Sequence, residues 1–555
     1  MNISGSHHFS RLAQDYITAF DSSVINTFFA ISPYDRGEAL RSLIEKRVVL
    51  TSEQKELRKT LVSTLHSQHS NAGTLTKKVE ENLHKLAGDR CCAVVTGQQV
   101  GIMGGPLYTI YKALHTIILA NELSLLFPDT NFVPVFWQET EDHDFEETSS
   151  INIITASNEF RRIRYSPNSP ETIARRQISG IVFEKEALER VFSELESFLQ
   201  HTEFTDGILA FYKAAYQEDF TFAESQAQLL GELLSSEGLL ILNANTRELK
   251  KHVAQLFRKE IETAPQLSER IHSVSKNLEK LGYHAQLDPQ GANLFLSTKG
   301  VRYKLVKTDN GFTYGEEKMS NDEALRIASE EPERMSMNVV MRPLIQDTIL
   351  PTVAYVAGPG EIAYFAQLGA PYQWAEMPMP MIVPRISITL IEEQIENLFA
   401  KYQIQSEAFI ERGNELVKEL LRSEQEDVIV SDFTRTNTEL DKKLEALRAL
   451  ITSIDTTLNQ ALTTTKGKVL TAIKDLEGKA LAAERRKQAT ARQQFERAMN
   501  KILPEGKLQE RELNLLYFLN KYGFSFWKKF VSIISEQKND LSQHQLLSLK
   551  TFRDE

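Results

Sequence analysis

CAVVTGQQ, at residues 92–99, is an apolar run that ends in polar side chains, and two later stretches repeat this form. FVPVFW at 132–137 runs into the acidic residues 141–144, and the apolar residues 349–357 run into Gly358-Pro359-Gly360-Glu361. Short apolar runs bounded by turn residues are typical of buried strands, and helical patterns follow two of the three. Strand, polar loop and helix in repetition predict an α/β fold with a parallel sheet, which binds small molecules at the carboxyl ends of its strands.

Length and composition narrow the class of protein. The chain has 555 residues, too many for one hydrophobic core, so about two to four domains are expected. A net charge of -11 argues against binding to nucleic acid, which usually needs a basic face. No apolar run is long enough for a bilayer and residues 1–10 lack a secretion signal, so we expect a cytoplasmic protein without membrane contact. Cys91 and Cys92 are adjacent, which favours two small buried side chains over a disulfide or metal site.

The loop that follows the first strand combines glycines with polar side chains. Gly104-Gly105-Pro106 predicts the start of a helix, with glycine at the N-cap and proline at the first helical position. The loop amides and this helix N-terminus would favour a phosphate or carboxylate. The loop lacks the spacing of a P-loop and of the dinucleotide fingerprint. On the helix, Tyr108 and Lys112 are four residues apart and can point together at a ligand.

An acidic cluster with one histidine follows the second strand. A purely structural interpretation is a solvated acidic loop, which we expect for Glu146 and Glu147. His143 lies between Asp142 and Asp144, and neighbouring carboxylates raise the pKa of an imidazole and fix its tautomer. His143 could act as a general base, or join the two aspartates around a divalent cation. Zinc is not expected, since no second histidine or cysteine stands at ligand spacing.

The third loop and its surroundings carry two further hypotheses. Glu361 could simply cap the helix that begins after Gly358-Pro359-Gly360, or the loop could bind a substrate ammonium or hydroxyl. Upstream, Arg342 could pair with a carboxylate through two hydrogen bonds. Lys318-Met319-Ser320-Asn321 is similar to a nucleotide-binding loop of class I aminoacyl-tRNA synthetases. Ser320 and Glu323 also form a helix capping box, which is the interpretation we favour.

The residues after Pro384 change in character. From Leu440 to Ala461 apolar residues alternate at spacings of four and three, and the pattern continues from Thr465 after one extra step of four. This is a heptad seam with a stutter, which leaves the register uncertain. A helix at about 391–422, joined by a connector at 423–434, could fold back antiparallel on it. We expect a coiled-coil arm that forms a homodimer; the alternative is an arm that packs only on its own chain.

The chain contains long, specific strings at residues 96–101, 105–113, 134–137, 142–145, 338–347, 355–367 and 506–511. Together these strings resemble the bacillithiol synthase family of cysteine ligases. The resemblance implies a Rossmann-like core with connecting-peptide insertions and a C-terminal helical coiled-coil arm that mediates dimerisation. The implied reaction joins the carboxylate of cysteine to the amino group of glucosaminyl-malate. Asn243 and Asn245 depart from the acidic residues expected in relatives, and the region near Gln290 looks short, which puts a second nucleotide site in doubt.

The organisation that follows from the pattern and the resemblance has five parts. We expect N-terminal helices and the first half of the core at 1–150, and an inserted connecting-peptide region with a core strand at 151–335. The second half of the core is expected at 336–388, the antiparallel coiled-coil arm at 389–503, and a segment returning to the core at 504–555.

The expected site residues follow from the three loops and the matched strings. His143 would deprotonate the attacking amine, while Asp142 and Asp144 orient it or bind Mg²⁺. The loop with Gln98 and Gln99 and the helix that starts at Pro106 would hold a nucleotide phosphate or substrate carboxylate. ATP or ADP is the expected nucleotide, although no ATP motif is present. The expected substrate-binding residues are Thr96, Gln98, Gln99, Tyr108, Lys112, Trp137, Glu141, Arg342, Gly358, Gly360, Glu361 and Gln367.

Two alternatives of other classes stay open. A nucleotidyltransferase-like enzyme acting on another amino-acid or sugar acceptor would use the same loops. A non-enzymatic coiled-coil scaffold would bind neither cysteine, malate conjugates nor ADP, and the dense polar strand ends argue against it.

Overall fold

The computed structural model describes residues 2, 6–20, 25–142, 144–168, 173, 176–421, 424–536 and 540–552, without the side chains of residues 424, 425 and 487. The chain forms two compact units, here called the core unit (Met1–Glu393 with Lys507–Glu555) and the helical unit (Gln394–Gly506). No helix within the described ranges is both long and apolar enough to cross a bilayer.

The secondary structure is mixed and its strands are short. The strands are β1 (Cys91–Gln99), β2 (Asn131–Glu139), β3 (Ser150–Ile154), β4 (Phe160–Arg164), β5 (Leu240–Leu242), β6 (Leu294–Thr298), β7 (Val301–Lys304), β8 (Val306–Thr308), β9 (Gly311–Tyr314), β10 (Glu317–Ser320), β11 (Met335–Met337), β12 (Thr352–Ala357), β13 (Met381–Pro384), β14 (Ile388–Ile391) and β15 (Gln545–Ser548). The helices up to the first boundary between the units are α1 (Arg11–Thr18), α2 (Glu38–Val48), α3 (Ser52–Asn71), α4 (Lys77–Ala87), α5 (Leu107–Leu126), α6 (Phe145–Thr148), α7 (Lys185–Phe198), α8 (Thr205–Ala215), α9 (Phe222–Leu234), α10 (Arg247–Thr263), α11 (Gln266–Lys280), α12 (Asn321–Glu330), α13 (Met341–Ile349), α14 (Pro359–Phe365) and α15 (Gly369–Trp374). The remaining helices are α16 (Glu393–Tyr402), α17 (Ser406–Arg412), α18 (Asn414–Leu420), α19 (Glu424–Ala446), α20 (Arg448–Ile454), α21 (Leu458–Ile502), α22 (Gln509–Glu512) and α23 (Leu515–Glu536).

The core unit is built on a five-stranded sheet in the order β13-β12-β1-β2-β5, in which all neighbours are parallel. Strand β1 is the central strand. Its residues Cys92 and Val94 pack into one apolar cluster, while Phe136 of β2 packs into another. Helix α5 connects β1 to β2, and the chain later places β12 on the other side of β1. The strand order therefore reverses between β1 and β12, which is the switch point where α/β sheets bind ligands. The predicted α/β, Rossmann-like fold is confirmed.

One predicted strand has different bounds. The apolar run 349–357 was expected to be all strand, but Ile349 ends helix α13 and β12 begins at Thr352. A turn at residues 309–310 joins the antiparallel β8 and β9. Ser320 caps α12 by accepting a hydrogen bond from the Glu323 amide, as the capping interpretation requires.

The segment after the helical unit returns to the core unit. Strand β15 pairs in parallel with β14, and Gln509 of α22 exchanges hydrogen bonds with the backbone of Leu390. Helix α23 contributes Phe518, Phe526 and Phe530 to the apolar cluster that also holds helix α5. The core unit is thus completed by residues from both ends of the chain.

The helical unit contains an antiparallel helix pair that differs from the predicted one. Arg485 pairs with Glu426 and Lys466 with Asp441, so α19 and α21 run in opposite directions. The expected connector at 423–434 is wrong, because α19 already covers 424–446. The seam predicted from Leu440 to Ala461 is interrupted at 455–457. There the Asp455 carboxylate accepts hydrogen bonds from the Thr457 amide and hydroxyl, which favours a turn over a continuous helix.

Candidate functional site

A cavity of about 680 Å³ lies at the carboxyl edge of the parallel sheet. Its wall includes Gly97–Gln99 at the end of β1 and Glu139 at the end of β2. Gly358 follows β12 and Arg385 follows β13, and both also line the cavity. Four adjacent strands thus meet at one site, which spans the switch point of the sheet.

The cavity wall carries charges of both signs. A wall of this kind suits small molecules that bear carboxylates together with an amino group, since each charge can find an opposite partner. The cationic side chains are Lys112, Arg302, Arg342, Arg385 and Arg511. The carboxylates are Glu139, Asp142, Glu147 and Glu361.

Lys112 of α5, which is buried, and Glu361 of α14, which is partly buried, form an ion pair near the ends of β1 and β12. The Lys112 Nζ atom is 2.5 Å from Glu361 Oε2 and also donates to the Gly97 carbonyl at 2.6 Å and to Gln98 Oε1 at 3.2 Å. Burial lowers the pKa of Lys112, and the Glu361 charge opposes that shift. Burial would raise the pKa of Glu361, but Lys112 and the Gly358 amide outweigh it and leave that pKa below its usual value. Glu361 therefore caps α14 and ties two strand ends together.

The two glutamines of the first loop are held by hydrogen bonds. Gln98 Nε2 donates to the Tyr108 hydroxyl at 3.2 Å, and Gln99 Nε2 donates to Asp142 Oδ2 at 2.5 Å. Burial raises the pKa of Tyr108 to about 12, so its hydroxyl remains protonated near neutral pH. These contacts bring Gln98, Gln99, Tyr108 and Asp142 to the same cavity wall, as the sequence predicted.

Arg342 of α13 is fixed in the cavity wall by neutral partners. Its Nη1 donates to Gln346 Oε1 and its Nη2 to the Tyr364 hydroxyl, both at 2.9 Å. The guanidinium carbon is 5.2 Å from the ring centroid of Tyr355, a distance at which a cation interacts with an aromatic face. The Nε atom is 3.8 Å from Glu139 Oε2. Arg342 thus keeps a fixed orientation.

Arg385 is anchored by a residue of the returning C-terminal segment. Its Nη2 donates to Glu510 Oε1 at 2.6 Å, and its Nη1 donates to the Ile386 carbonyl at 2.9 Å. Its Nε is buried and has no hydrogen-bond partner among the described residues. Glu510 also accepts from Ser387 Oγ at 2.7 Å and from the Ile388 amide at 2.9 Å. The guanidinium is therefore rigid and retains one donor for a ligand.

Several predicted site residues lie outside the cavity lining, so their roles stay predictions. Thr96 is buried and donates to the Val356 carbonyl at 2.8 Å, and Trp137 is buried in β2. Glu141 forms a buried ion pair with Lys250. Gln367 bonds Ser275 and the backbone of Gln286 and Leu287. Asp144 caps α6 by accepting from the Glu147 amide at 3.1 Å, and His143 lies outside the described residues.

The start of α5 corrects the expectation that it holds a phosphate or carboxylate. Pro106 is the N-cap, and the amide of Leu107 donates to the Leu513 carbonyl at 2.9 Å. The Asn514 side chain donates to the carbonyls of Met103 and Gly105, so the C-terminal segment covers this helix end. Gly104 and Gly105 have φ angles of 84° and 71°, a conformation that favours glycine. Glycine is therefore favoured at both positions by the backbone conformation of the turn before α5.

The expected divalent cation at His143, Asp142 and Asp144 stays a prediction, because His143 lies outside the described residues. Asp142 is bonded to Gln99 and Asp144 to the Glu147 amide, so the two carboxylates have separate partners. Within the described ranges no group of three or more His, Cys, Asp or Glu side chains could hold a metal ion.

Among the charged residues of the cavity wall, sequence reasoning did not single out Arg302, Arg385, Arg511 and Glu139, and it expected Glu147 to be only a solvated residue. Arg302, Arg385 and Arg511 stand in strands, loops or a short helix far from the three predicted loops. Glu139 lies two residues before the acidic residues 141–144. Its position as the last residue of β2, directly opposite Gln99 in the ladder, was the available signal.

Known proteins match this chain along most of its length. The family model described as "Bacillithiol biosynthesis BshC, N-terminal Rossmann-like domain" matches residues 1–386, and the one described as "Bacillithiol biosynthesis BshC, C-terminal coiled-coil domain" matches 388–549. A Salinibacter ruber protein named "Putative cysteine ligase BshC" is 32% identical over 98% of this chain and 96% of its own length. Proteins of the same name from Chloroherpeton thalassium and Bacillus velezensis are 33% identical over 94% of this chain and 94% of their own length, and 30% identical over 97% and 98%, respectively. The chain therefore belongs to the BshC family of bacillithiol biosynthesis.

Proposed function

We propose that this protein is a ligase that joins the carboxylate of L-cysteine to the amino group of glucosaminyl-malate, the last step of bacillithiol biosynthesis. Membership of the BshC family and the cysteine ligase names of its full-length relatives support this activity. The observation that carries the proposal is the cavity at the switch point, whose wall combines five cationic side chains with four carboxylates. Both substrates bear carboxylates and an amino group, so they match such a wall.

The arrangement of charges supports one orientation of the acceptor. Arg385 retains an unbonded Nε, and Arg511 is an exposed arginine on the same wall, so the malate carboxylates would bind there. Planar guanidinium groups are well suited to carboxylates because they offer paired donors. The amino group would then point toward the carboxylates of Glu139, at the end of β2, and of Asp142, which follows that strand.

Amide formation from a free carboxylate is uphill in water, so cysteine must be activated. We propose a nucleoside triphosphate as the activating reagent, giving an acyl phosphate or an adenylate. Nucleoside triphosphates and reduced thiols belong to the cytoplasm, where we place the reaction.

The activity can be tested directly with purified protein, cysteine and glucosaminyl-malate. We expect mass spectrometry to detect an adduct with the mass of both substrates less one water, formed only when ATP is supplied. Adduct formation by nucleotide-free protein would contradict the activation step. Cells lacking the chain should lose the same thiol, and a complementing plasmid should restore it.

The same assay separates the alternatives. Pyrophosphate release with other amino acids, without the cysteine adduct, would indicate a nucleotidyltransferase-like enzyme acting on another acceptor. Absence of turnover, together with no thermal shift on adding cysteine, malate conjugates or ADP, would indicate a scaffold. Either outcome would reject the ligase proposal.

We propose that the helical unit forms a homodimer. Several large apolar side chains of this unit are exposed, and Leu450 and Ile454 lie four residues apart on α20 with exposures of 60% and 71%. Exposed apolar side chains on one helix face are typical of a surface that packs against another protein. The others are Val428, Val430, Leu447, Leu458 and Leu476.

Charged residues on this face should weaken the dimer. Light scattering should give twice the chain mass of 63.2 kDa for the wild type and a value shifted toward one chain for Leu450→Glu/Ile454→Glu. Burying an unpaired carboxylate in an interface is costly, which is the reason for the shift. The exposed neighbour Ala449→Glu is the control and should keep the wild-type mass. A monomeric wild type would contradict the proposal.

A further inference from the structure

Glu139 occupies an unusual position for a carboxylate. It is the last residue of β2, opposite Gln99 of the central strand, and it lines the cavity. Its Oε2 atom is buried and accepts no hydrogen bond from the described residues. The nearest cation, Arg342, approaches it only to 3.8 Å. The two terminal nitrogens of Arg342 donate hydrogen bonds to Gln346 and Tyr364 instead. A buried carboxylate without a bonded donor is costly to keep, so the position calls for an explanation.

The other carboxylates of the cavity are already engaged or exposed. Asp142 accepts from Gln99 and lies 3.9 Å from Arg302. Glu361 is occupied by Lys112, the Tyr355 hydroxyl and the Gly358 amide. Glu147 is exposed on the short helix α6. Among these four, Glu139 is the one with a buried oxygen directed at no protein donor.

We propose that Glu139 is the base that takes the proton from the acceptor nitrogen as the amide forms, an inference that rests on the proposed ligase function. In this step the amine nitrogen forms a bond to the activated carbonyl carbon of cysteine. The bond from that carbon to its leaving group breaks, and the electron pair departs with a phosphate or nucleoside monophosphate. The proton lost by nitrogen passes to a carboxylate oxygen of Glu139, which later returns it to solvent.

The electrostatic surroundings suit this role. Burial raises the pKa of Glu139 to about 7; the positive charge of Arg342 opposes the shift, while the negative charges of Glu141 and Asp142 add to it. A base is most effective when its pKa lies near the working pH. Above that pKa the carboxylate is free to accept a proton, so activity should rise with pH through about 7. The charged or titratable groups that face Glu139 are Arg342, Glu141, Asp142, Arg302 and Tyr364.

The test compares the wild type with Glu139→Gln, Glu139→Asp and the exposed control Glu146→Gln in the adduct assay. We expect Glu139→Gln to lower kcat about a hundred- to ten-thousandfold, because a positioned base contributes that much. The KM for glucosaminyl-malate should change far less. The rise of kcat/KM through about pH 7 should vanish in Glu139→Gln and persist, at a lower rate, in Glu139→Asp. Tryptophan fluorescence melting confirms that each variant is folded.

The outcomes separate this inference from the proposed function. A wild type that forms no adduct rejects the ligase proposal itself. An active wild type whose Glu139→Gln variant keeps the same kcat and pH profile rejects only the role of Glu139. A loss confined to KM would show that Glu139 binds the ammonium without taking its proton. The His143→Ala variant, measured in parallel, tests the competing base. If His143→Ala lowers kcat while Glu139→Gln keeps the wild-type kcat, the inference is overturned.

Discussion

Glu510→Gln should lower the free energy of unfolding of the core unit by about 3–5 kcal/mol, the usual effect of removing one partner of a buried ion pair. Glu510 is fully buried and accepts hydrogen bonds from Arg385, Ser387 and Ile388. Glutamine keeps the shape but removes the charge, so the Arg385 guanidinium is left without its counter-charge in the interior. Because Arg385 also lines the cavity, activity should fall with stability.

The measurement is guanidinium unfolding followed by tryptophan fluorescence. Trp137, Trp374 and Trp527 all belong to the core unit, so the signal reports on this unit alone. Glu146→Gln removes an exposed carboxylate and should change stability by less than about 0.5 kcal/mol. Equal destabilisation by the two variants would contradict the role given to Glu510.

The free energy of unfolding should also depend on pH in the acid range, because the pKa of Glu510 is shifted in the folded protein. Burial would raise the pKa of Glu510, but Arg385 outweighs it and holds the pKa below its usual value. The stabilisation by this carboxylate is therefore present above its unfolded-state pKa and lost as pH falls through the lower folded-state pKa. Glu510→Gln should lack this portion of the acid-induced loss.

The ion pair of Lys112 and Glu361 should give the second large effect. Lys112→Met leaves the carboxylate without its nearest cation, and Glu361→Gln leaves an ammonium that is 2% exposed facing only neutral oxygens. Each single change should cost about 3–5 kcal/mol. The double variant Lys112→Met/Glu361→Gln should cost less than the two single changes added together, by about 0.5–3 kcal/mol of coupling.

An exposed pair provides the control for this cycle. Lys59 and Glu56 are three residues apart on α3, and their side chains are 77% and 65% exposed. Solvent screening makes such pairs weak, so the corresponding cycle should show no measurable coupling. Strict additivity at Lys112 and Glu361 would contradict the view that this pair joins the two strand ends.

The sheet could be predicted because its signals are local. Apolar runs bounded by glycine, proline and acidic residues predicted β1, β2 and β12, and the positions of all three at one edge follow from parallel pairing. The predicted ends of these strands were less accurate than their positions. Strand β1 extends to Gln99 because its polar residues still pair with β2, which an isolated pattern cannot show. The helical unit was misread for a related reason: the turn at Asp455 falls within an unbroken heptad pattern.

The site was predictable only where it is made of neighbours in sequence. Gln98, Gln99, Tyr108 and Lys112 were placed together because they follow one strand and begin the next helix. The acidic residues at the end of β2 show no periodic pattern that would indicate which way each side chain points. The sequence therefore could not predict that Glu139 lines the cavity or that Glu141 pairs with Lys250. Arg385 and Glu510 are 125 residues apart and meet only through the return of the C-terminal segment.

This return also imposes an order in time. The cavity wall runs from Gly97 to Arg511, so the first loop leaves the ribosome long before the residues that complete it. At about 5–20 residues per second, the 413 residues from Gln98 to Arg511 take roughly 20 to 80 s to synthesise. Until the C-terminal segment has been made, Arg385 lacks Glu510 and the start of α5 lacks Asn514. The nascent chain therefore remains catalytically incomplete until the whole helical unit has been made.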